Sequence, residues 1–451
     1  MNVDSRATDL RRSFAALLSS LLPGLGQAFN RRSRPATWFA IPILVLLAVV
    51  LLVVNLASPS MLIARLIEPA ALRAVLILNL LILVWRLIAV SHAFLDRRYP
   101  SKPGRAGLVA AGLVIVFTIA PHAVANVWGQ TAATAFDKIF QPGASGANGQ
   151  PRPTPPPLTE RVNVLVIGID KTPWRTATLT DTMMVVSLDP VGHTVSMLSI
   201  PRDLVNVPLG NGSNFGPKLN SLMGYANRHP KEFPDGGIPS LEKAVGALLG
   251  IPIHYYAQMD FVGFVKMVDA VGGVDIDVDH AFNDPLYDGY GYGKKGFSIT
   301  AGPHHFDGLQ ALAYARSRQA VGESDFKRAE RQQEVLLGLR DKLLDGGALF
   351  WRVPALLSTL GDFVTTDVPV GLLPSLAAVG DEMGRSGVTR AIIKYPLVRG
   401  AHSQYGSVQV PDLEKILAVA AQLFPPAGET PVPWPTPKPT ATAKPPASTS
   451  P

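Results

Sequence analysis

The sequence predicts an α/β protein, a mixed β-sheet sandwiched between helices, preceded by an all-helical transmembrane region. Three observations carry that prediction. Long uncharged apolar stretches crowd the first 130 residues, short β-branched runs alternate with amphipathic helical patterns after residue 160, and Pro/Gly-rich segments separate these regions. Composition agrees: a mean hydropathy of +0.22 with only 17% charged residues points to a membrane part. The formal net charge of +7 suits anionic headgroups, phosphate-bearing substrates or nucleic acid, so the placement of the charges has to decide. The absence of cysteine excludes disulfides, thiolate metal sites and cysteine nucleophiles.

Taken in order, residues 1–37 read as a cytoplasmic segment. Its stretch SFAALLSSLLPGLGQAFNRR is too short, and too punctuated by Pro23, Gly24 and Gly26, for a signal peptide or a span, and is expected as an amphipathic element along the inner surface. The region 38–130 should hold three transmembrane helices, at 38–57, 70–90 and 107–127. The first and third carry no charge. The second contains Arg73 and Arg86, which can snorkel toward the headgroups, and an interfacial or re-entrant hairpin is the alternative there. Arginines and lysines gather before the first span and between the second and third, so the amino terminus is expected in the cytoplasm and everything after residue 130 outside the cell membrane, a multi-pass topology. The same topology argues against a nucleic-acid partner, because the basic residues flank spans. Residues 131–159 read as a Pro/Gly-rich linker, 160–425 as one extracytoplasmic domain, and 426–451 as a Pro/Thr-rich disordered tail.

Within the outer domain, VNVLVIGI (162–169), MMVVSLD (183–189) and VSMLSI (195–200) read as buried strands, the last two joined by the hairpin turn DPVGH. SLEKAVGALLG (240–250), DFVGFVKMVDAVGG (260–273) and RAERQQEVLLGLRDKLL (328–344) show helical apolar spacing. Asp170 ends the first strand, where open α/β sheets place ligands, and Asp181 begins the segment leading into the second. Two such carboxylates suit a magnesium ion; a turn residue and an Asx-turn residue fit the same spacing. Arg202 follows the third strand in IPRD, a position that equally suits a surface residue. If ALAYARSRQ is extended near its end, Arg316 and Arg318 share a face, and Asp325, Arg328 and Gln332 share one on the helix that follows. Converging arginines make a site for an oligo-anion, although salt bridges to the neighbouring glutamates would also account for them.

NVLVIGID, TDTMMVVSLDP, SMLSIPRDL, KLNSLMGYA, YAQMDFVGFVKMVDAVGGVDIDV and AGPHHFDGLQALAYARSR with SDFKRAERQQEVL resemble, in order and spacing, the LytR-CpsA-Psr family of cell-envelope enzymes over residues 160 to 420. The resemblance implies a magnesium-dependent (or manganese-dependent) phosphotransferase. Its donor would be a polyprenyl-pyrophosphate-linked glycan in the lipid bilayer and its acceptor peptidoglycan. By resemblance, Asp170 and Asp181 hold the metal, Arg202, Arg316, Arg318 and Arg328 grip the pyrophosphate with Gln332, and Asp325 is the general base. The helices at 240–250 and 260–273 would flank a channel for the lipid tail. The family commonly carries an arginine where this chain has Leu179, and Arg175, in PWRTATLTD, is the candidate substitute. Lys218 and Asn220 of KLN match another family motif, but also suit a surface loop. A polyprenyl pyrophosphate hydrolase with the same site and a non-catalytic lipid- or wall-binding module are the other readings.

Overall fold

The computed structural model describes residues 3–57, 62, 65, 68–99, 102–141, 159–170, 179–287, 296–320, 322, 324–344, 361–382 and 387–434. It divides into two compact units: one comprises residues 1–144, 257–321 and 334–381, the other 145–256, 322–333 and 382–451.

In the first unit the helices α1 (Val3–Leu21), α2 (Leu25–Phe29), α3 (Ser33–Leu56), α4 (Pro69–Phe94) and α5 (Arg105–Ile139) come first. The last three are long and apolar enough to cross a bilayer. α4 is one continuous helix, and Arg86 does not snorkel. Its guanidinium donates to the Ser20 carbonyl and lies 2.9 Å from His122 Nε2, so it satisfies an end carbonyl of α1.

The amino-terminal segment does not lie along a surface as its pattern suggested. Asp9 is buried and accepts from the Gly104 N–H at the head of α5, while Thr118 Oγ1 donates to Ser20 Oγ at 2.9 Å. Thus α1 runs beside α5 from Gly104 to Thr118. After the Pro23–Gly24 turn, Gln27 donates to the Ala89 carbonyl at 2.8 Å and Asn30 to that of Ala93 at 3.0 Å, so the chain returns along α4. Glycine is required twice in this hairpin. Gly24 has φ of +102°, and a Cβ on Gly26 would run into the Ala15 carbonyl. The expected linker at 131–159 is helical up to Ile139, and 142–158 lies outside the described residues.

From Val162 the named elements are β1 (Val162–Asp170), β2 (Leu179–Asp189), β3 (Thr194–Ser199), α6 (Gly237–Leu249), β4 (Tyr255–Asp260), α7 (Phe261–Val271), β5 (Val274–Val278), β6 (Gly302–Phe306), α8 (Gly308–Arg316), α9 (Asp325–Leu344), β7 (Val364–Thr366), β8 (Val388–Ile392), β9 (Val398–Ser403), β10 (Gly406–Pro411) and α10 (Leu413–Leu423). In the second unit β1, β2 and β3 pair antiparallel in sequence order and β8 adds to β3 in parallel, which makes the sheet mixed as expected. Leu165, Ile167, Met183, Val185 and Leu198 pack with Leu241, Val245 and Leu248 of α6 and with Ile416, Val419 and Leu423 of α10. The apolar stripe of α6 is therefore core, closed against the sheet. Met184 and Met197, which alternate with these positions, are buried as well, so both faces of the sheet are covered. The DPVGH turn is a hairpin whose backbone N–H groups at Val191 and Gly192 donate to Asp189.

In the first unit β7 pairs with residues 257–259 of β4, β5 pairs with β6, and α7 packs against α8. Asp307 and Gln310 close a capping box at the head of α8. Residues 308–316 are consequently helical and Arg316 ends a helix, so the condition under which Arg316 and Arg318 would share a strand face is not met at Arg316.

Candidate functional site

β1 and β2 are in register from Val162↔Leu188 to Gly168↔Thr182, and then slip, so that Ile169 faces Thr180 and Asp170 faces Leu179. Asp181 is the extra residue of this bulge, a feature that bends a strand and re-aims a side chain. Gly168 permits it, because a Cβ there would lie 2.9 Å from the Thr182 Cβ. Asp170 and Asp181 thus stand at the same end of one ladder, with Asp170 buried to 5% exposure.

β3 ends beside this bulge, and Arg202 follows it. Its Nη1 donates to Asp181 at 2.7 Å, while its buried Nε makes no hydrogen bond, Asp203 being 3.9 Å away. Burial opposes the charge on Arg202, but Asp181, then Asp325 and Asp203, outweigh it and hold the guanidinium above its ordinary pKa. The KLN segment supports this arginine. Asn220 N–H donates to the Arg202 carbonyl at 3.0 Å, and Lys218 pairs with Asp203 at 2.8 Å. On the other side, Gln409 of β10 receives from the Val205 N–H and donates to the Asp203 carbonyl.

The first turns of α9 complete the group. Arg328, 8% exposed, pairs with Asp325 at 3.1 Å, the three-residue spacing that brings side chains together on a helix. Asp181, Arg202, Asp325, Arg328 and Gln332 line one small pocket. Gln333, missed in the sequence, is buried beside it and ties α9 to the sheet through Ser199 Oγ and the Ala391 carbonyl, both at 2.9 Å.

Arg316 and Arg318 belong to the first unit. The Arg316 guanidinium lies 4.4 Å from the centre of the Phe261 ring and 5.9 Å from that of Tyr287. Arg318 is exposed, and its backbone N–H and that of Gln319 donate to Asp284 at 2.9 and 3.1 Å. Asp284, 1% exposed, fixes this loop; only the turn signal Asn283-Asp284-Pro285 hinted at it. Arg175 lies outside the described residues.

The family model LytR_cpsA_psr matches residues 140–421. The chain belongs to the LytR_cpsA_psr family. The match covers every expected site residue, from Asp170 to Gln332. Among its relatives, the cell wall biosynthesis protein LcpA of Corynebacterium glutamicum is 31% identical over 255 residues, 53% of this chain and 47% of that protein. The polyisoprenyl-teichoic acid–peptidoglycan teichoic acid transferase TagU of Bacillus mycoides is 31% identical over 207 residues, 46% of this chain and 58% of that one. The chain thus matches about half the length of these relatives. The crystal structure of TagV from B. subtilis superposes with a TM-score of 0.47 at 26% identity, covering 59% of this chain and 98% of that one.

Proposed function

We propose that this protein is a membrane-anchored phosphotransferase that moves a glycopolymer from a polyprenyl pyrophosphate carrier onto peptidoglycan on the outer face of the cell membrane, with its amino terminus in the cytoplasm. The observation that carries this reading is the pocket itself. Two acid–arginine pairs, Asp181–Arg202 and Asp325–Arg328, converge there, and both arginines line the pocket that would receive a further acceptor. A pyrophosphate oxygen supplies such an acceptor, and a rigid arginine fork recognises it well. Family membership, and the activity for which TagU is named, support the choice of donor and acceptor.

The donor set fits magnesium. Asp170 and Asp181 offer hard carboxylate oxygens at one strand end, the donor type this ion prefers. Asp170 and Asp181 would hold the ion, which, when bound, supplies Lewis-acid polarisation of the phosphoryl group. Manganese has the same ligand preference. Arg202 and Arg328, with Gln332, would neutralise and orient the phosphoryl oxygens, and Arg316, Arg318 and Arg175 are the further cations assigned to that task. Asp325 Oδ would take the proton of the acceptor hydroxyl as its oxygen bonds to phosphorus and the bond to polyprenyl phosphate breaks.

The test uses the full chain in vesicles containing a polyprenyl-pyrophosphate-linked glycan, with magnesium and peptidoglycan fragments, following glycan attached to wall and polyprenyl phosphate released. Both products in equal amount, lost in Asp325→Asn, are the expected result. Phosphate release without attachment would make the protein a hydrolase, and binding without release a lipid-binding module.

A further inference from the structure

α5 does not end where the bilayer should. Counting 1.5 Å per residue, Arg105 to Trp128 spans ~35 Å, enough for the hydrocarbon core and its boundary. Trp128, 58% exposed, is the kind of residue that marks that boundary. The helix then continues to Ile139, a further ~16 Å.

That projecting end is docked. Ala132, Ala135, Phe136 and Ile139 are buried in a cluster joined by Met267 of α7 and Val364 of β7. Lys138 pairs with Asp362 at 2.7 Å, and the Gln141 N–H donates to the Thr366 carbonyl at 2.9 Å. Gly361 lies against Ala135 so closely that a Cβ would be 3.3 Å from the Ala135 Cα. The contact therefore combines apolar burial, an ion pair and a backbone hydrogen bond, whereas a linker composition had suggested a loose tether beginning at residue 131.

α7 carries the attachment onward. Asp269 of α7 accepts from the Gly308 N–H at the head of α8 at 2.7 Å, and a Cβ on Gly308 would collide with the Val265 carbonyl. At the far end of the pair, Phe261 of α7 holds Arg316 of α8 by its ring face. The membrane helix thus meets α7 at Met267, and α7 in turn meets this arginine at Phe261.

We propose that α5 is a rigid post which sets the height of Arg316 above the outer leaflet, so that the protein works on pyrophosphate headgroups whose prenyl chains remain in its own bilayer. This rests on the transferase reading for the identity of the headgroup. The height itself follows from the post alone. A loose tether would let the domain reach donors at any depth or on another membrane; a post confines it to one layer.

The experiment inserts seven alanines after Gln130. Seven residues make nearly two whole turns, so the docking face keeps its bearing while the domain rises by ~10 Å. A control inserts seven Gly/Ser residues after Gly146, beyond the docked end. Because the chain has no cysteine, Ser298→Cys gives a single exposed site for a fluorophore, and energy transfer to labelled lipid in phosphatidylglycerol vesicles reads the height without any activity. Turnover is measured in parallel with a long-chain donor in the vesicle and with a water-soluble two-isoprene analogue. The post requires the alanine insertion to raise the fluorophore by about one nanometre and to cut vesicle-donor turnover at least tenfold, with the soluble donor within twofold of wild type and the control unchanged in both readouts. An unchanged height, or equal effects of the two insertions, overturns the post. A raised height with unchanged vesicle turnover overturns its role in donor selection, and a wild type inactive on both donors overturns the transferase reading while the height measurement still decides the post.

Discussion

Replacing Arg202 with alanine separates a catalytic arginine from one that only balances charge. Asp181, Asp203 and Asp325 all act on this guanidinium. Without it Asp203 keeps Lys218 at 2.8 Å and Asp325 keeps Arg328 at 3.1 Å, so Asp181 alone loses its 2.7 Å ion-pair partner. Leaving one largely buried charged group short of a partner costs roughly 1–3 kcal/mol, which lowers the melting temperature by ~2–12 °C at 2–4 °C per kcal/mol. The loss in turnover should be much larger. A preorganised donor aimed at developing charge contributes about 10²–10³ in rate. Arg202→Lys restores the charge without the fork, so it should recover stability and only part of the turnover. The assay is release of polyprenyl phosphate by the full chain in vesicles, alongside thermal unfolding. Turnover of Arg202→Ala within about threefold of wild type would refute the reasoning. So would recovery in the double variant Arg202→Ala with Asp181→Asn, since that would make the arginine a mere counter-ion for Asp181.

Asp189 gives a stability prediction. It is fully buried and accepts from the Val191 and Gly192 N–H groups, from Gly428 and from Arg161, whose own side chain is 6% exposed. Asp189→Ala should cost ~3–5 kcal/mol by stranding Arg161, visible as a lower denaturant midpoint, while Arg161→Met with Asp189→Leu should cost less than the single change. Chelation should stop turnover in wild type, and added magnesium should raise the melting temperature of wild type but not of Asp170→Asn; equal shifts in the two would remove Asp170 from the metal site. Lys342 and then His305 hold the Asp275 carboxyl below its ordinary value. The associated stability is present above the unfolded-state pKa, about 4, and disappears as pH falls through the lower folded-state value. Asp275→Asn should flatten that acid limb in thermal unfolding; an unchanged limb would discount the cluster.

The strands β1, β2 and β3 were legible because a β-branched run buried on both faces has few other readings. The helical pattern of α9 was legible too, and with it the pairing of Asp325 with Arg328, three residues apart. What the sequence could not disclose was set by partners far along the chain. The bulge at Asp181 arises in pairing with Gly168, which no local pattern announces, and Gln333 gains its place only when β3 and β8 lie side by side. The helical setting of Arg316 was readable and was missed: Asp307 and Gln310 have capping-box spacing, and LQALAYA is built of good helix formers. In the first 140 residues, the long apolar helices were legible from hydropathy, but the hairpin of α1 and α2 was hidden. Its small and polar residues read as a surface pattern until Gly104, Thr118, Ala89 and Ala93 are there to receive them.

That hairpin bears on biosynthesis. Asp9, Ser20, Gln27 and Asn30 are translated ahead of their hydrogen-bond partners, which emerge from the ribosome some 60 to 100 residues later, as the sequence separations of 95, 98, 62 and 63 show. An unpaired polar group away from water is costly, so these side chains stay hydrated until α4 and α5 have been made. The hairpin can settle only in stages as Ala89, Ala93, Gly104 and Thr118 arrive, and a ribosome stalled before Thr118 would withhold the hydroxyl that holds Ser20.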